Sequence, residues 1–175
     1  AKGLASAYFP LSACMVSERV WEGLVAGGDQ FGPFGHGYTY TSHPIGAAAA
    51  LANLDIVENE GLVAQAGARG KTLHRLLQEA FADHPLIGEI RGRGLIGAIE
   101  LVADRDEPKA FDPALKVAAR VVAAARERGV ISRALPASDS LAFSPPFVIS
   151  DEQLEQVVSG VRDAVDEVAA ELASA

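Results

Sequence analysis

Ala1-Lys2-Gly3-Leu4-Ala5-Ser6-Ala7-Tyr8-Phe9-Pro10-Leu11 sets a lysine against a glycine, follows it with small residues and closes on Pro-Leu. Such a stretch predicts a tight loop that presents one amine into a pocket. Gly3 lets the backbone pass close to a bound group, and the small side chains leave room for it. An amine held this way can lose its proton through desolvation or a nearby cation and condense with a carbonyl as a Schiff base. By position alone, the commoner reading is a solvated lysine near a chain end.

A second cluster, His36-Gly37-Tyr38-Thr39-Tyr40-Thr41-Ser42-His43-Pro44, leads into an alanine-rich run. Thr41 or Ser42 is the expected N-cap of a helix, Pro44 fits its first turn, and Ala47 to Ala50 are strong helix formers. Loop residues just before such a helix lie where backbone N–H groups favour anions, so a phosphate there is physically reasonable. Thr39 taken bare reads as a satisfied loop hydroxyl. His36 and His43 have no ligand-like partners at metal spacing, so both are read as structural and no metal is expected.

Together these two stretches resemble the class III aminotransferases, which are pyridoxal phosphate enzymes of fold type I. Within that class the omega-amino acid or amine:pyruvate branch is the most similar, in register from Ala1 to the C-terminal helix. The resemblance implies an α/β fold: the C-terminal part of a PLP-dependent transferase (fold type I), comprising the end of the large domain and an α+β small domain. Residues 1–59 would end the large PLP-binding domain with its connecting helix, and 60–175 would form the small domain. It places Ala1 in the middle of the family's sequence. A chain so placed would lack the acidic partner of the pyridine nitrogen, the aromatic that stacks on the ring and the glycine-rich phosphate turn, and would be inactive alone.

The resemblance also implies the site. Pyridoxal 5'-phosphate would be the cofactor, with Lys2 the catalytic residue that holds it and shuttles a proton. Thr39 would reach the cofactor phosphate of the neighbouring subunit, with Tyr38 beside it as a further cofactor-binding residue. The small-molecule partners would be an amine and a keto acid, pyruvate being the expected acceptor. The assembly would be a homodimer with shared active sites, or a tetramer built from it.

Arg133, in Ile131-Ser132-Arg133-Ala134-Leu135, holds a place resembling the mobile arginine of that branch. There it forks onto the substrate carboxylate and moves aside for neutral amines. A guanidinium suits the task because its planar donors match a carboxylate bidentately. The other reading is a surface ion pair. Ser144-Pro145-Pro146-Phe147 resembles the family's closing segment and is expected to wall the site.

Composition narrows the classes of partner. Of 175 residues, 49% are hydrophobic and 22% charged, ordinary for a soluble globular protein. With 15 Lys+Arg against 23 Asp+Glu the net charge is −8, which argues against nucleic acid or an anionic membrane surface. The apolar run Ile45 to Leu54 is too short to span a bilayer, and no secretory signal pattern opens the sequence. Cys14 is alone, which points to a reducing, cytoplasmic compartment without disulfides.

In chain order, Ser12 to Val16 predicts a buried strand. Ser17 caps a helix over Glu18 to Ala26, with Val20, Trp21, Leu24 and Val25 on its apolar face and Gly27-Gly28 ending it. Trp21 is expected in the core or an interface. From Leu62 a helix places Leu62, Val63, Ala66, Leu73, Leu76, Leu77 and Phe81 on one side, and His84-Pro85 stops it. Ile87 to Val102 predicts strand, glycine turn, strand. Asp112-Pro113 opens a helix that ends at Arg128-Gly129, and short strands follow over Val130 to Leu135 and Leu141 to Ser144. Ser150 and Gln153 form a capping box for a last helix with the stripe Leu154, Val157, Val158, Val161, Val165, Val168 and Leu172.

Three motifs fail on context. Gly92-Arg93-Gly94-Leu95-Ile96-Gly97 matches a dinucleotide fingerprint, but Ala98 to Val102 reads as strand, not as a phosphate-binding helix. Gly70-Lys71-Thr72 ends like a P-loop inside a helical pattern whose first glycine is replaced by Gln65. No G-x-S-x-G elbow supports a hydrolase reading of Ser42-His43. Two rivals to the amine:pyruvate aminotransferase reading stand beside it. One is a 4-aminobutyrate- or ornithine-type aminotransferase, from whose usual glycine-asparagine-proline ending Tyr40-Thr41-Ser42-His43-Pro44 departs. The other is a non-enzymatic α/β interaction module.

Overall fold

Helix α2 (Pro44–Asn59) stops two residues before α3 (Leu62–Phe81), and Gly61 between them takes φ 61°, a left-handed conformation that suits glycine. The break divides the chain into two compact units, Ala1–Gly61 and Leu62–Ala175. The computed structural model describes residues 3–107, 109–136 and 138–174. Lys2 lies outside the described residues.

The first unit holds α1 (Glu18–Phe31) and α2. Its helix α1 buries none of its residues, and Trp21 is exposed rather than in a core. Ser12 to Val16 forms no strand, and Met15 and Val16 are exposed. A strand needs a neighbour to take up its backbone hydrogen bonds, and the described residues of this unit contain no other strand. Nor does Gly27-Gly28 end α1. Glycine weakens a helix interior by about 1 kcal/mol but keeps its N–H donor, so the helix runs on to Phe31. Gly32 closes it at φ 89°, its N–H bonded to the Gly28 carbonyl. The cap of α2 is His43, without a side-chain bond, rather than Thr41 or Ser42.

Among the described residues, the second unit is a four-stranded antiparallel sheet under three α-helices. The strands are β1 (Ile87–Arg93), β2 (Ile96–Leu101), β3 (Arg133–Ala134) and β4 (Ser140–Phe143), in the order β1-β2-β4-β3. The helices are α3, α4 (Val117–Glu127) and α5 (Asp151–Ala173). Alternation puts Gly97, Ile99 and Leu101 of β2 on the buried face, and register sets Leu141 opposite Ile99 and Phe143 opposite Gly97. Ile99, Leu101, Leu141 and Phe143 share one core with Leu73, Leu77 and Phe81 of α3, Val117 and Val121 of α4, and Leu154, Val161 and Val165 of α5. Each fully buried aliphatic contributes about 1.5–3 kcal/mol.

Local chemistry explains the element ends. At α5, Ser150 Oγ accepts the Gln153 N–H at 3.2 Å and Gln153 Oε1 accepts the Ser150 N–H at 2.9 Å, a complete capping box. Asp112 accepts the Ala114 N–H and opens only a single 3-10 turn, Pro113–Leu115; α4 starts afresh after Lys116, which takes φ 49°. Val63, expected on the apolar side of α3, is exposed.

The fingerprint-like glycines have a packing role. Gly94-Leu95 is the two-residue turn between β1 and β2, with Gly94 at φ 55° and Leu95 buried. A Cβ on Gly92 would stand 2.2 Å from the Ile96 carbonyl oxygen, and one on Gly70 of α3 would stand 2.4 Å from the Gly94 backbone. Helix and hairpin turn are therefore in direct backbone contact. Residues 98–101 are strand and Gly70-Lys71-Thr72 is inside α3, so neither sequence forms a phosphate loop.

Candidate active site

Gly3 to Phe9 folds as two successive tight turns. Ser6 N–H donates to the Gly3 carbonyl at 3.1 Å, and Tyr8 N–H donates to the Ala5 carbonyl at 2.8 Å. Ser6 and Ala7 both take left-handed backbone, at φ 44° and 64°. For residues with a Cβ this costs roughly 1–2 kcal/mol each, so the surroundings must hold the loop in place. Helix α2 does so at three points. Asn53 Nδ2 donates to the Leu4 carbonyl at 2.8 Å, and Asn53 Oδ1 accepts from Ser6 Oγ at 2.7 Å. Ala5 is buried, and Gly46 leaves room for Phe9, whose ring would lie 2.8 Å from any Cβ added there. Phe9 also stacks at a tilt on His43, centroids 5.0 Å apart.

Tyr38 and Thr39 lie on one turn. Thr41 N–H donates to the Tyr38 carbonyl at 2.9 Å, and Thr41 Oγ1 accepts the Tyr38 N–H at 2.8 Å. Thr39 and Tyr40 are therefore the two central residues, both exposed. The Thr41 hydroxyl is engaged in closing the turn. The ring of Tyr38 meets His36 edge-on at 5.8 Å. Between His36 and His43 there is no acidic residue, and the first turn of α2 has none either. A hydroxyl at the tip of an acid-free turn, ahead of a helix N-terminus without a side-chain cap, is a donor set that fits a phosphate.

Arg133 is in the second unit, on β3 opposite Ala142 of β4. It is exposed and forms no ion pair among the described residues. It lines a cavity of about 390 Å³ with Ser132, Phe143, Pro145, Pro146 and Val157. Most of that lining is apolar. Ser132 Oγ is buried there without a hydrogen-bond partner among the described residues. A guanidinium without an ion pair among the described residues, on the lining of a mostly apolar cavity, suits a small carboxylate with an apolar remainder. Of the closing segment, Ser144, Pro145 and Pro146 line the cavity, whereas Phe147 does not; its carbonyl accepts from Arg69 at 2.8 Å.

The sequence pattern of the aminotransferase class-III family matches residues 1–165. The chain belongs to the class-III aminotransferases, enzymes that use pyridoxal phosphate. It is 54% identical over 172 residues to an uncharacterized aminotransferase of Sinorhizobium fredii, covering 98% of this chain and 37% of that protein. It is 47% identical to the diaminobutyrate–2-oxoglutarate transaminase of Halomonas elongata, over 96% of this chain and 36% of the relative. Among solved structures, a transaminase obtained by ancestral reconstruction superposes with a TM-score of 0.94 at 53% identity, over 97% of this chain and 37% of the other. A thermostable omega transaminase from Pseudomonas jessenii gives 0.90 at 38% identity, over 95% and 36%. The chain thus spans about a third of the length of the curated relatives it matches, between 30% and 37%.

Asn53, Gly46 and Ser132 are not singled out by the sequence. Asn53 leaves a signal, because asparagine is a poor helix former and stands mid-helix among alanines and leucines. Ser132 leaves only its adjacency to Arg133.

Proposed function

We propose that this chain supplies the lysine, one phosphate-binding turn and the carboxylate-binding arginine of an enzyme that transaminates between a primary amine or omega-amino acid and pyruvate. Arg133 is the observation that carries the reading. A guanidinium without an ion pair among the described residues, lining a mostly apolar cavity, supports recognition of a keto-acid carboxylate, and the apolar remainder of the cavity tolerates a neutral side chain.

Lys2 would hold pyridoxal 5'-phosphate through its amine, with Thr39 as a phosphate ligand and Tyr38 beside it. When bound, the group supplies an electron sink for charge developing on the substrate carbon. The chain's own part is positional and acid–base. The Lys2 amine moves a proton at the substrate carbon, and Arg133 orients the carboxylate. In this reading residues 1–59 end the larger cofactor domain and 60–175 form a small domain. The working unit is a homodimer in which Thr39 reaches the phosphate held by the other subunit. Sedimentation of a fully active monomer would remove that element.

The test is Lys2→Ala in the protein expressed from its complete gene. Transamination should be abolished while the fold survives, and turnover at the wild-type rate ends the reading. The 47% identity to a transaminase acting with 2-oxoglutarate supports a second reading for the acceptor. Single-turnover measurements with pyruvate and with 2-oxoglutarate separate the two.

A further inference from the structure

The geometry assigns Asn53 as a positioning residue for the Schiff-base lysine, an inference that rests on the reading of Lys2 given above. Leu4 and Ser6 follow Lys2 by two and four residues, and one carboxamide in the interior of α2 engages both. Its Nδ2 donates to the Leu4 carbonyl at 2.8 Å, and its Oδ1 accepts from Ser6 Oγ at 2.7 Å.

Both polar ends of the side chain are used, and on opposite kinds of partner. A carboxamide offers a donor and an acceptor in one plane, which an ionised carboxylate of the same length does not. The change Asn53→Asp would keep the Ser6 contact and set a carboxylate against the Leu4 carbonyl; Asn53→Leu would lose both bonds. The loop needs the restraint, because Ser6 and Ala7 are consecutive non-glycine residues in the left-handed region. Such conformations persist where their surroundings over-determine them, and they gather at functional sites.

The other anchors of the loop are apolar. Ala5 is buried, and Phe9 fits over Gly46 and against His43. Packing of this kind fixes depth but tolerates sliding, whereas the two hydrogen bonds fix register along α2. Asn53 therefore fixes the backbone from Leu4 to Ser6, the segment that directly follows the lysine. It touches neither cofactor nor substrate in this role.

The experiment uses the protein expressed from its complete gene and loaded with pyridoxal phosphate, comparing Asn53→Ala, Ser6→Ala and Lys2→Ala. Two readouts are taken besides thermal stability. One is the pH midpoint of the cofactor's visible absorbance. The other is the split between kcat and KM for the amine half-reaction.

A misplacement of the order of 1 Å costs about a hundredfold in rate. Asn53→Ala should accordingly lower kcat by about tenfold to a hundredfold, leave KM within about twofold, and displace the pH midpoint. Ser6→Ala removes one of the two bonds and should lower kcat by about twofold to tenfold. Ser6 is exposed, so that variant keeps the proposal open to refutation should Asn53→Ala fail to fold.

A fall in melting temperature with midpoint and kcat unchanged would make Asn53 merely structural and overturn the proposal. If that occurs while Lys2→Ala is inactive, the positioning role alone is lost. If Lys2→Ala keeps both the pH-dependent absorbance and activity, the lysine assignment fails and the positioning role falls with it.

Discussion

His84 Nε2 and Asp166 Oδ1 meet at 3.0 Å, and the pair is a neutral imidazole donating to a carboxylate rather than an ion pair. The tautomer follows from the other ring nitrogen, since Nδ1 accepts the Leu86 N–H at 3.1 Å and the proton must sit on Nε2. Burial pushes the His84 pKa below its ordinary 6.5; the bond to Asp166 opposes this and the nearby Arg162 guanidinium adds to it. Partial burial pushes the Asp166 carboxyl up, but Arg162 and His84 together hold it below its ordinary value. Arg162 also donates to the Ala80 carbonyl, so the pair pins α5 to the end of α3.

A pH dependence follows, with a definite sign. The folded state disfavours the charged ring, so below pH 6.5 the unfolded chain binds the extra proton. Stability from a neutral His84 is complete above that value and declines as pH falls through it toward the lower folded value. The Asp166 contribution is lost only at still lower pH, below the ordinary 3.8. Replacing His84 with Gln, which does not titrate, should destabilise the protein most above pH 6.5, with the gap narrowing as pH falls. Thermal unfolding of wild type and variant across that range checks it; a gap that widens on acidification would contradict the neutral assignment.

Gly70 and Gly94 give a steric prediction. A Cβ at Gly70 would lie 2.4–2.6 Å from three backbone atoms of Gly94, none of which can rotate away. Gly70→Ala should cost about 1–3 kcal/mol, the usual range for overpacking. At Gly97 the nearest atom is the end of the Leu77 side chain at 3.1 Å, so Gly97→Ala should cost less. Denaturant titration ranks the two, and equal losses would refute the distinction between rigid and adjustable neighbours.

The turn before α2 separates two nearby threonines. Thr41 closes the turn through its hydroxyl, whereas Thr39 has no such duty. If Thr39 binds the cofactor phosphate, Thr39→Ala should weaken cofactor retention by about 0.5–1.5 kcal/mol, the worth of one hydrogen bond, or somewhat more if it is charge-assisted. The fold should be unchanged. Thr41→Val should instead loosen the turn, with any loss of cofactor following from that. Equilibrium dialysis of the cofactor together with amide exchange at Tyr38 checks both; unchanged retention in Thr39→Ala would remove it from the site.

What the sequence makes legible is what short-range chemistry decides. The α5 capping box is two residues three apart, and its stripe repeats at the helical period, so both are found as read. The β1–β2 hairpin follows from glycines between apolar runs, and its strand character is what excludes a dinucleotide fingerprint there. Ser12 to Val16 departs from expectation because strand formation depends on a partner, and an apolar run carries no information about whether one is at hand. The continuation of α1 past Gly27-Gly28 turns on a left-handed Gly32, which looks no different in sequence from its neighbours. Around the candidate site, Arg133 and Thr39 are proposed through family resemblance. Asn53 is not, because its partners lie 47 and 49 residues away and only the fold brings them together.

Arg133 carries the sharpest prediction about substrates. A site that accepts a keto acid in one half-reaction and a neutral amine in the other cannot hold a fixed, buried cation, since an unpaired buried charge is costly. Arg133 is compatible with this requirement, being exposed, on a two-residue strand, with no carboxylate tying it down among the described residues. If Arg133 binds the carboxylate of pyruvate as proposed, Arg133→Ala should raise the Michaelis constant for pyruvate strongly, by roughly 2–5 kcal/mol where the carboxylate pair is desolvated. Turnover of an uncharged amine in its own half-reaction should suffer much less. Following the cofactor spectrum in single turnover measures the two half-reactions separately. Equal losses for both substrates would make Arg133 structural, and an unchanged pyruvate half-reaction would remove it from the site.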